Sequence, residues 1–418
     1  MWEETVSLGT FGEEVIGLRD RLFVTGSLRV DGSTSFGDAY HPRPYPKIGL
    51  SWIASEEPWL RDVPGLTELR FRGSYGVSSR YPTSFMKLGS LESDLMNFDG
   101  TTRSVFFRGE LANPLLRPER TRETEYGTDA TVLRGVTVGL SWYRRRTNDL
   151  LQGIANPFGL QSVWANTASL DAHGFEATMN VPIVATSAIR SDISLQYSTN
   201  RSRVVNVGAA PSGYAVGYPV DAVFGSRILT VLDTVGTGAG NAPDGIVFPN
   251  EVVRDSVRRF LGVTNPPRTY TVIPTVALLN GRLRISSLFD RSMGYLVLDA
   301  FSERCLQLCL ATILKSTPLL EQAKYASYPH DDDFYVPGDN TRWRELNISF
   351  DLPERFLQLD FIHLRFSRAT ASMQGRNLKL WTAYRGPDPD SRNLGFDNAT
   401  AAGIPQTRGW SFRFDLTP

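Results

Sequence analysis

The sequence has few of the residues from which disulfide frameworks, metal sites and catalytic centres are usually built. Its 418 residues include two cysteines and four histidines. Cys305 and Cys309 are too few for a disulfide scaffold, although a bridge between them would close one small loop, and both states stay open. The histidines are far apart and lack a motif partner, so we predict that the chain is not an enzyme. No catalytic residue and no cofactor is assigned.

Long apolar runs and an excess of one charge are also missing. No stretch of about 20 apolar residues occurs, which excludes a membrane-spanning helix but not a barrel, whose strands meet lipid with alternate residues only. Basic and acidic residues number 44 each, so no nucleic-acid partner is predicted. The N-terminal "MWEETVSLGTFGEE" lacks the basic start and apolar run of a signal peptide. Either the protein stays in the cytoplasm, or an export signal lies outside this chain.

Extended strands with one apolar and one polar face dominate the sequence. In "RLFVTGSLRVD" (21–31) apolar residues occupy the even positions, and in "RATASMQGR" (368–376) the even positions are polar instead. One region, 305–326, has the periodicity of one or two short helices. We predict about thirteen strands from this alternation. They cover residues 3–18, 21–31, 45–54, 67–78, 122–133, 136–148, 171–182, 189–203, 269–279, 282–292, 342–352, 367–378 and 408–416.

Short and long connections alternate between these strands. The short ones are 19–20, 134–135, 184–188 and 280–281, and the long ones are 79–121, 149–170, 204–268, 293–341 and 379–407. This sorting is typical of an outer-membrane protein with short periplasmic turns and long extracellular loops. The fold class predicted is therefore all-β, an antiparallel transmembrane β-barrel. Complete bacterial barrels have an even strand number, so we expect either a miscount by one or the C-terminal part of a larger barrel.

Several segments resemble, in the same order, motifs of one family of outer-membrane proteins. They are "DRLFVTGSLRVDGSTSFG" (20–37), "YPKIGLSWIASEEPWL" (45–60), "LTELRFRGSYGVSS" (66–79), "ANPLLRPERTRETEYGTDATVLRGVTVGLSWYRRRTNDLL" (112–151), "NTASLDAHGFEATMNV" (166–181), "GDNTRWRELNISFDLP" (338–353) and "RATASMQGRNLKLWTAYRGPDPD" (368–390). By these motifs the chain resembles the C-terminal barrel portion of SusC/RagA-like TonB-linked outer-membrane proteins, which are TonB-dependent receptors. The likeness extends over essentially all of the chain.

The resemblance implies a fold, a function and a set of partners. Residues 1–418 would be a partial TonB-dependent receptor β-barrel domain with about 13 of the family's 22 strands, without plug or signal peptide. It would belong to a transporter in the cell outer membrane that imports large nutrients, oligosaccharides or peptides. The implied partners are a SusD-like surface lipoprotein, outer-membrane lipid, and the TonB-ExbB-ExbD complex through an N-terminal part. The chain alone would not be transport-competent, because it would have neither a gate nor a TonB box.

Two alternatives stay open at the level of the sequence. A small, self-contained and passive porin-like barrel requires an even strand number and both termini on the periplasmic side. A surface β-protein that binds a partner requires a second layer that covers the apolar face of the sheet.

One loop segment has part of the pattern of a calcium-binding loop. In "GNAPDGIVFPNE" (240–251), Asp244 takes the fifth position, Gly245 the sixth and Glu251 the twelfth. The first and third positions are Gly240 and Ala242, which supply no ligating side chain. We therefore interpret Asp244 and Glu251 as the remnant of a calcium loop and predict no bound metal. No substrate-binding residue is assigned.

Three further features are interpreted as structural. The acidic run "HDDDF" (330–334) is predicted to be a solvated loop. The basic run "YRRRT" (143–147) is predicted to face outer-leaflet lipid phosphates or loop carboxylates. Tryptophans near strand ends suit a membrane interface, whereas two loop tryptophans could stack on a ligand. The first group comprises Trp52, Trp142, Trp343 and Trp410, and the second comprises Trp164 and Trp381.

Overall fold

The computed structural model consists mainly of antiparallel strands. It describes residues 4–37, 42–98, 100–155, 162–208, 214–233, 243–299, 315–326, 331–353, 358–359, 364–386, 388–390 and 406–417. Within these ranges no helix is both long enough and apolar enough to span a bilayer. Cys305 and Cys309, together with Gly240 and Ala242, lie outside the described residues.

The elements are numbered in chain order. The strands are β1 (Ser7–Leu18), β2 (Leu22–Ser33), β3 (Arg43–Ile53), β4 (Leu66–Arg80), β5 (Ser90–Phe98), β6 (Thr101–Leu111), β7 (Glu119–Val132), β8 (Val136–Ala155), β9 (Ser162–Ala185), β10 (Ile189–Asn206), β11 (Ala222–Gly225), β12 (Ile228–Val231), β13 (Val252–Arg254), β14 (Arg259–Val263), β15 (Arg268–Leu278), β16 (Leu283–Met293), β17 (Leu296–Leu298), β18 (Tyr335–Pro337), β19 (Asn340–Asp351), β20 (Gln358–Leu359), β21 (Leu364–Arg365), β22 (Arg368–Thr382) and β23 (Gly409–Thr417). The helices are α1 (Ser84–Leu88) and α2 (Leu319–Ala326), and single 3₁₀ turns occupy Ala54–Glu56, Pro249–Glu251 and Asp331–Phe334.

The chain divides into two compact units, to both of which β9 and β10 contribute. The first unit comprises Met1–Met179 and Ser198–Val220, and the second comprises Asn180–Tyr197 and Asp221–Pro418. In the first unit the strand order is β1-β2-β3-β4-β7-β8-β9-β10, with the β5–β6 hairpin beside β9. In the second unit the order is β9-β10-β15-β16-β19-β22-β23. The second unit also contains the pairs β11–β14, β12–β13, β17–β18 and β20–β21.

Each of the thirteen predicted strands has a counterpart in these two strand orders, so the strand prediction is confirmed. The described part of the predicted helical region contains α2, which is also confirmed. The predicted loop 149–170 is wrong in extent, since β8 continues to Ala155 and β9 begins at Ser162. The β5–β6 hairpin was not predicted, because its strands lack the clean alternation of the others.

The turn at Asn280-Gly281 is longer than its sequence predicts. Leu278 pairs with Leu283, so the connection has four residues and not two. Leu279, Asn280 and Gly281 all have positive φ, at 56°, 59° and 84°. Asn and Gly tolerate this region of backbone conformation, and the additional left-handed residue, Leu279, lengthens the turn.

The alternation of the sequence separates an apolar from a polar face in the first unit. Strand register aligns the aromatic residues of neighbouring strands, and they stack: Trp52 on Phe71 with ring centroids 5.7 Å apart, and Tyr126 on Trp142 at 6.1 Å. Tyr126 is 59% exposed and Leu50 49%. No second layer of the described residues covers this face. A surface β-protein with a two-layer core would bury such side chains. Their exposure therefore favours a membrane barrel, in which this face contacts lipid, over a surface β-protein.

The second unit shows the same separation at β22 and β23. The register pairs Ala371 with Phe414, Met373 with Phe412 and Gly375 with Trp410 on the apolar face. Because successive side chains alternate, the even-numbered residues from Arg368 to Arg376 lie on the other face. A register shift between Trp343 and Glu345 in β19 places Trp343 beside Phe289, on which it stacks at 5.6 Å. The predicted division of residues 368–376 between two faces is therefore confirmed.

Candidate functional site

Paired charges line the polar face of the first unit, with Arg72 at their centre. Its guanidinium lies 3.1 Å from a Glu125 carboxylate oxygen and 3.2 Å from one of Asp129, and it donates to the Ser141 hydroxyl at 2.7 Å. Gly127 stands opposite Arg72 in the register, and a Cβ there would lie 2.7 Å from Arg72 Nε. The glycine therefore leaves the room that Arg72 needs to reach across β7 to β8.

Further ion pairs continue this polar face. Arg145 contacts Glu123 at 2.6 Å, and Arg70 contacts Glu68 at 3.1 Å. An open cavity of 290 Å³ lies beside Arg72, lined in part by Lys47, Ser74 and Glu125. Charges of both signs at short spacing hold water and polar solutes without retaining ions of one sign. This face is chemically suited to line a path for hydrated solutes.

The second unit contains a cavity of 440 Å³ among its connecting segments. Side chains of both charges share it with aromatic and apolar groups. They are Asp299, Glu321, Lys324, Asp333, Phe334, Val336, Pro337, Ala383, Tyr384 and Arg385. Two small apolar clusters contribute residues to its lining. Tyr295, Val297 and Tyr384 are buried together, as are Leu298 and Phe334, and Tyr384 and Phe334 line the cavity. We call this the loop cavity, and its mixture of charges and rings suits a ligand with both polar and apolar parts.

A buried ion-pair network holds the segment that contributes Tyr384 and Arg385. Arg342 of β19 binds Asp388 through two hydrogen bonds of 3.2 and 2.6 Å, and both side chains are 3% exposed. Arg344 continues the network, with contacts to Asp290 at 2.6 Å and to Asp390 at 2.8 Å. The arginines belong to the motif "RWRELN", and Asp388 and Asp390 belong to "GPDPD". These residues were not singled out in the sequence as a pair, and the only available signal was their place in family-like motifs.

The carboxylates of the calcium-loop remnant bind backbone N–H groups. The N–H of Ile246 donates to Asp244 Oδ1 at 2.9 Å, and that of Phe248 donates to Glu251 Oε2 at 2.9 Å. Asp233 accepts from the N–H of Gly245 at 3.1 Å. Gly245 has φ +76°, which favours glycine at this position. Among the described residues no group of three or more metal-ligating side chains is present. That the segment binds no metal stays a prediction.

A glutamine occupies the centre of this segment. Gln322 of α2 is 3% exposed; it accepts a hydrogen bond from the N–H of Val247 at 3.0 Å and donates to the carbonyl of Gly245 at 3.0 Å. We expect Gln322→Ala to destabilise the packing of residues 243–251 by about 1–3 kcal/mol, because a buried N–H and carbonyl lose their partners. Limited proteolysis at this segment would measure the effect. Calcium should not restore protection, and restoration by calcium would contradict the remnant interpretation.

The other features take defined places. His330 lies outside the described residues, whereas Asp332 accepts from the N–H of Ser226 at 2.6 Å and Asp333 pairs with Arg254. The interpretation of this acidic run as a solvated loop is wrong at these two residues, since both carboxylates fasten other segments. Trp164 and Trp381 lie in β9 and β22 and not in loops. Trp164 donates to Glu110 at 2.8 Å, so its indole is already engaged.

Comparison with known proteins agrees with this architecture. Residues 2–290 match the family model described as TonB dependent receptor-like, beta-barrel. TonB-dependent receptor P26 of Formosa agariphila is 23% identical over 427 aligned positions, which cover 92% of this chain and 42% of the relative. TonB-dependent receptor SusC of Bacteroides thetaiotaomicron is 27% identical over 216 positions, 49% of this chain and 22% of the relative. The RagAB peptide transporter has a similar fold, with a TM-score of 0.78 at 17% identity over 99% of this chain and 48% of that chain.

The fold and the two faces define an outer-membrane β-barrel protein. The family match covers more than half of the sequence, and the chain belongs to the TonB-dependent receptor β-barrel family. The SusC/RagA-like resemblance, the outer-membrane localisation and the absence of an enzymatic role are thereby confirmed. The chain spans less than half the length of P26 and of the RagAB chain.

Proposed function

We propose that this chain supplies barrel wall to an outer-membrane transporter that imports large nutrients of the oligosaccharide or peptide class. One observation carries the proposal. In each of the two units, the strands present aromatic and aliphatic side chains on one face and polar or charged side chains on the opposite face. A wall between lipid and a wet lumen needs this division, because charge is costly on the lipid face and cheap in water. Family membership adds active, TonB-linked transport to this physical role.

We also propose that residues 291–418 continue the barrel domain beyond the family match, which ends at residue 290. β19, β22 and β23 alternate in the same manner as the strands inside the match. On this proposal residues 1–418 form one partial barrel domain. We propose two partners. One is a SusD-like surface lipoprotein, which the likeness of this chain to SusC and to the RagAB transporter suggests, and the other is the TonB-ExbB-ExbD complex.

The loop cavity suits a ligand of either class. Lys324 and Glu321 pair with each other at 3.0 Å beside Tyr384, so the cavity offers both an internally balanced pair of charges and an aromatic ring. The choice between peptide and oligosaccharide is therefore left to the growth test.

Growth of a deletion strain tests the function. The strain is supplied either with a protein digest or with a polysaccharide as its sole source of carbon, and amino acids or monosaccharides serve as controls. We expect a growth defect on a macromolecular nutrient and normal growth on the monomers. Normal growth on every macromolecular nutrient would contradict import of this class. Uptake that persists in a strain without TonB would instead indicate a passive porin-like barrel.

A tagged copy at the native locus tests the proposed partner. Purification from outer membranes in mild detergent is expected to recover a surface lipoprotein in near-stoichiometric amount, and mass spectrometry identifies it. Recovery of the tagged protein with no lipoprotein would contradict the partner, although not the barrel.

A further inference from the structure

Arginine side chains cluster on the apolar face of the first unit, next to the aromatic pair Tyr126–Trp142. We define the arginine cluster as Arg122 of β7, Arg144 and Arg146 of β8, and Arg203 of β10. Alternation places Arg144 and Arg146 on the same side of β8 as Trp142. Arg145 lies on the opposite side, where it pairs with Glu123. The basic run "YRRRT" is thus divided between the two faces.

The depth of the cluster follows from its distance to the aromatic pair. Arg144 is two residues beyond Trp142 and Arg146 four, or roughly 7 and 13 Å along the strand. Both lie away from the short turn at residues 133–135, which joins β7 to β8. Aromatic residues of membrane barrels mark the edge of the hydrocarbon layer, and short turns are periplasmic. The arginine cluster therefore lies on the side of the aromatic pair that is away from the short turn, which is the extracellular side of a barrel wall.

Among the described residues, the positive charge of the cluster exceeds the negative charge that contacts it. One carboxylate, Asp171, meets three of the arginines: Arg146 at 3.2 Å, Arg203 at 3.6 Å and Arg144 at 3.7 Å. The side chain of Asp171 is 9% exposed, whereas those of Arg144 and Arg203 are 63% and 62% exposed. Their remaining N–H donors can therefore reach a ligand.

Two members of the cluster face each other across the sheet. Arg122 stands directly opposite Arg146 in the register of β7 and β8. Like charges in directly opposite positions destabilise a strand pair. A bound anion would remove this repulsion, so the arrangement points to a ligand with negative charge.

An apolar groove of 410 Å³ lies on the same face, and it is lined by Trp142, two residues before Arg144 on β8. Its apolar lining comes from β3, β4, β7, β8 and β9. The residues concerned are Leu50, Trp52, Phe71, Tyr126, Leu140, Trp142 and Phe175. A ligand that fills both places has an anionic head group above an acyl chain.

We propose that the arginine cluster binds the phosphate groups of a phosphorylated glycolipid of the outer leaflet, with an acyl chain of the same lipid in the apolar groove. Arginine binds phosphate in a fork of two charge-assisted hydrogen bonds, and basic sites next to membrane-spanning elements bind anionic lipid head groups. Inorganic phosphate shares the anionic chemistry, but it has no part that would occupy the groove.

Native mass spectrometry of the protein purified from outer membranes tests the proposal. The probes are lipid A with its phosphates, lipid A from which the phosphates have been removed, and inorganic phosphate. The double variant Arg122→Gln/Arg144→Gln leaves Arg146 and Arg203 on Asp171, so that carboxylate keeps its partners. We expect this variant to bind phosphorylated lipid A about tenfold more weakly than the parent, since charge-assisted hydrogen bonds are lost. Both proteins should bind the dephosphorylated lipid equally weakly.

Arg145→Gln is the matched control, because it removes the same charge from the same strand on the opposite face, and it should bind as the parent does. Parental affinity in the double variant, or equal binding of both lipids by the parent, would overturn the proposal. Inorganic phosphate that binds as tightly as phosphorylated lipid A would also overturn it, because the site would then be one for a free anion. If the double variant does not fold, the exposed Arg122→Gln variant decides alone, with an expected loss of about threefold.

Discussion

Arg342→Met is expected to release the segment that contains Asp388, at a cost of about 3–5 kcal/mol in the stability of its packing. Arg342 and Asp388 are each 3% exposed and joined by two hydrogen bonds. Removal of the guanidinium leaves a buried carboxylate without its main counter-charge, and water cannot replace it unless the segment moves outward. Asp390, which Arg342 contacts at 3.3 Å, keeps Arg344 at 2.8 Å as its arginine partner within the described part of the chain.

Tryptic cleavage after Arg385 measures this release, because Arg385 lies three residues before Asp388. The rate of cleavage follows the population of the open segment when opening is fast. A loss of about 3 kcal/mol corresponds to an increase of roughly 100-fold in that population. Arg413→Gln provides the control, since Arg413 is 77% exposed and its pair with Asp415 is worth little. The double variant Arg342→Met/Asp388→Leu should recover part of the protection, because it removes both charges together.

Equal cleavage rates for Arg342→Met and the parent would contradict the role of the ion pair. A rate that rises as much in Arg413→Gln would show a general effect of arginine loss on the barrel. Cleavage in the double variant as fast as in Arg342→Met would mean that the lost contacts of Arg342, and not the isolated carboxylate, control the segment.

Gly37→Ala is expected to destabilise the first unit by about 1–3 kcal/mol or more. A Cβ on Gly37 would lie 2.5 Å from the carbonyl oxygens of both Leu116 and Pro114. These atoms are backbone and cannot rotate away as a flexible side chain would. The N–H of Gly37 also donates to the Leu116 carbonyl at 2.8 Å, so the methyl group would disrupt a hydrogen bond as well.

The segment opposite Gly37 is held firmly, which prevents relief of the clash. Asn113 donates to the carbonyl of Trp164 at 2.7 Å, and Asn166 accepts from the N–H of Arg117 at 2.8 Å. Leu116 is fully buried. Because both ends of the segment are tied to β9, movement away from a methyl group at residue 37 would break other contacts.

Urea unfolding of the purified protein in detergent, followed by tryptophan fluorescence, measures the effect of Gly37→Ala. Gly12→Ala is the matched control, since a Cβ at Gly12 would meet nothing within 4 Å. The control should change the midpoint little. Unchanged midpoints for both variants would show that residues 113–117 can move, contrary to the contacts of Asn113 and Asn166.

The neighbouring segments reinforce the same region. Phe36 packs edge-on against Tyr81 with centroids 4.9 Å apart, and Tyr81 donates to the Asp31 carboxylate at 2.6 Å. Burial, together with this hydrogen bond and the charge of Asp31, raises the pKa of Tyr81 to about 12. The phenol therefore stays protonated as a donor across the physiological range, and the contact does not depend on pH there.

Local pattern was sufficient to determine the strands and their two faces. A period of two needs no knowledge of distant residues, because each side chain lies opposite its neighbour along an extended backbone. Hence the alternation in 21–31 and in 368–376 predicted which residues meet lipid and which meet the lumen. The alternation of short and long connections predicted an outer-membrane barrel, and the order of the motifs indicated the family of TonB-dependent receptors. The predicted ends of the strands were less accurate, as β8 and β9 show. There the hydrogen-bonded strand pairing continues through residues whose sequence has no apolar–polar alternation.

Only the tertiary structure decided which distant groups meet. Arg342 binds Asp388 across 46 residues, and Gln322 reaches Gly245 across 77. The long side chain of an arginine or a glutamine could bond to many polar groups of the surrounding loops. The residues next to it in the sequence do not indicate which of these groups is its partner. Selection comes from burial, because a polar group removed from water must find a partner in the one place where the chain packs around it. The two faces of the sheet were thus determined by the sequence, and the fastening of its loops by the fold.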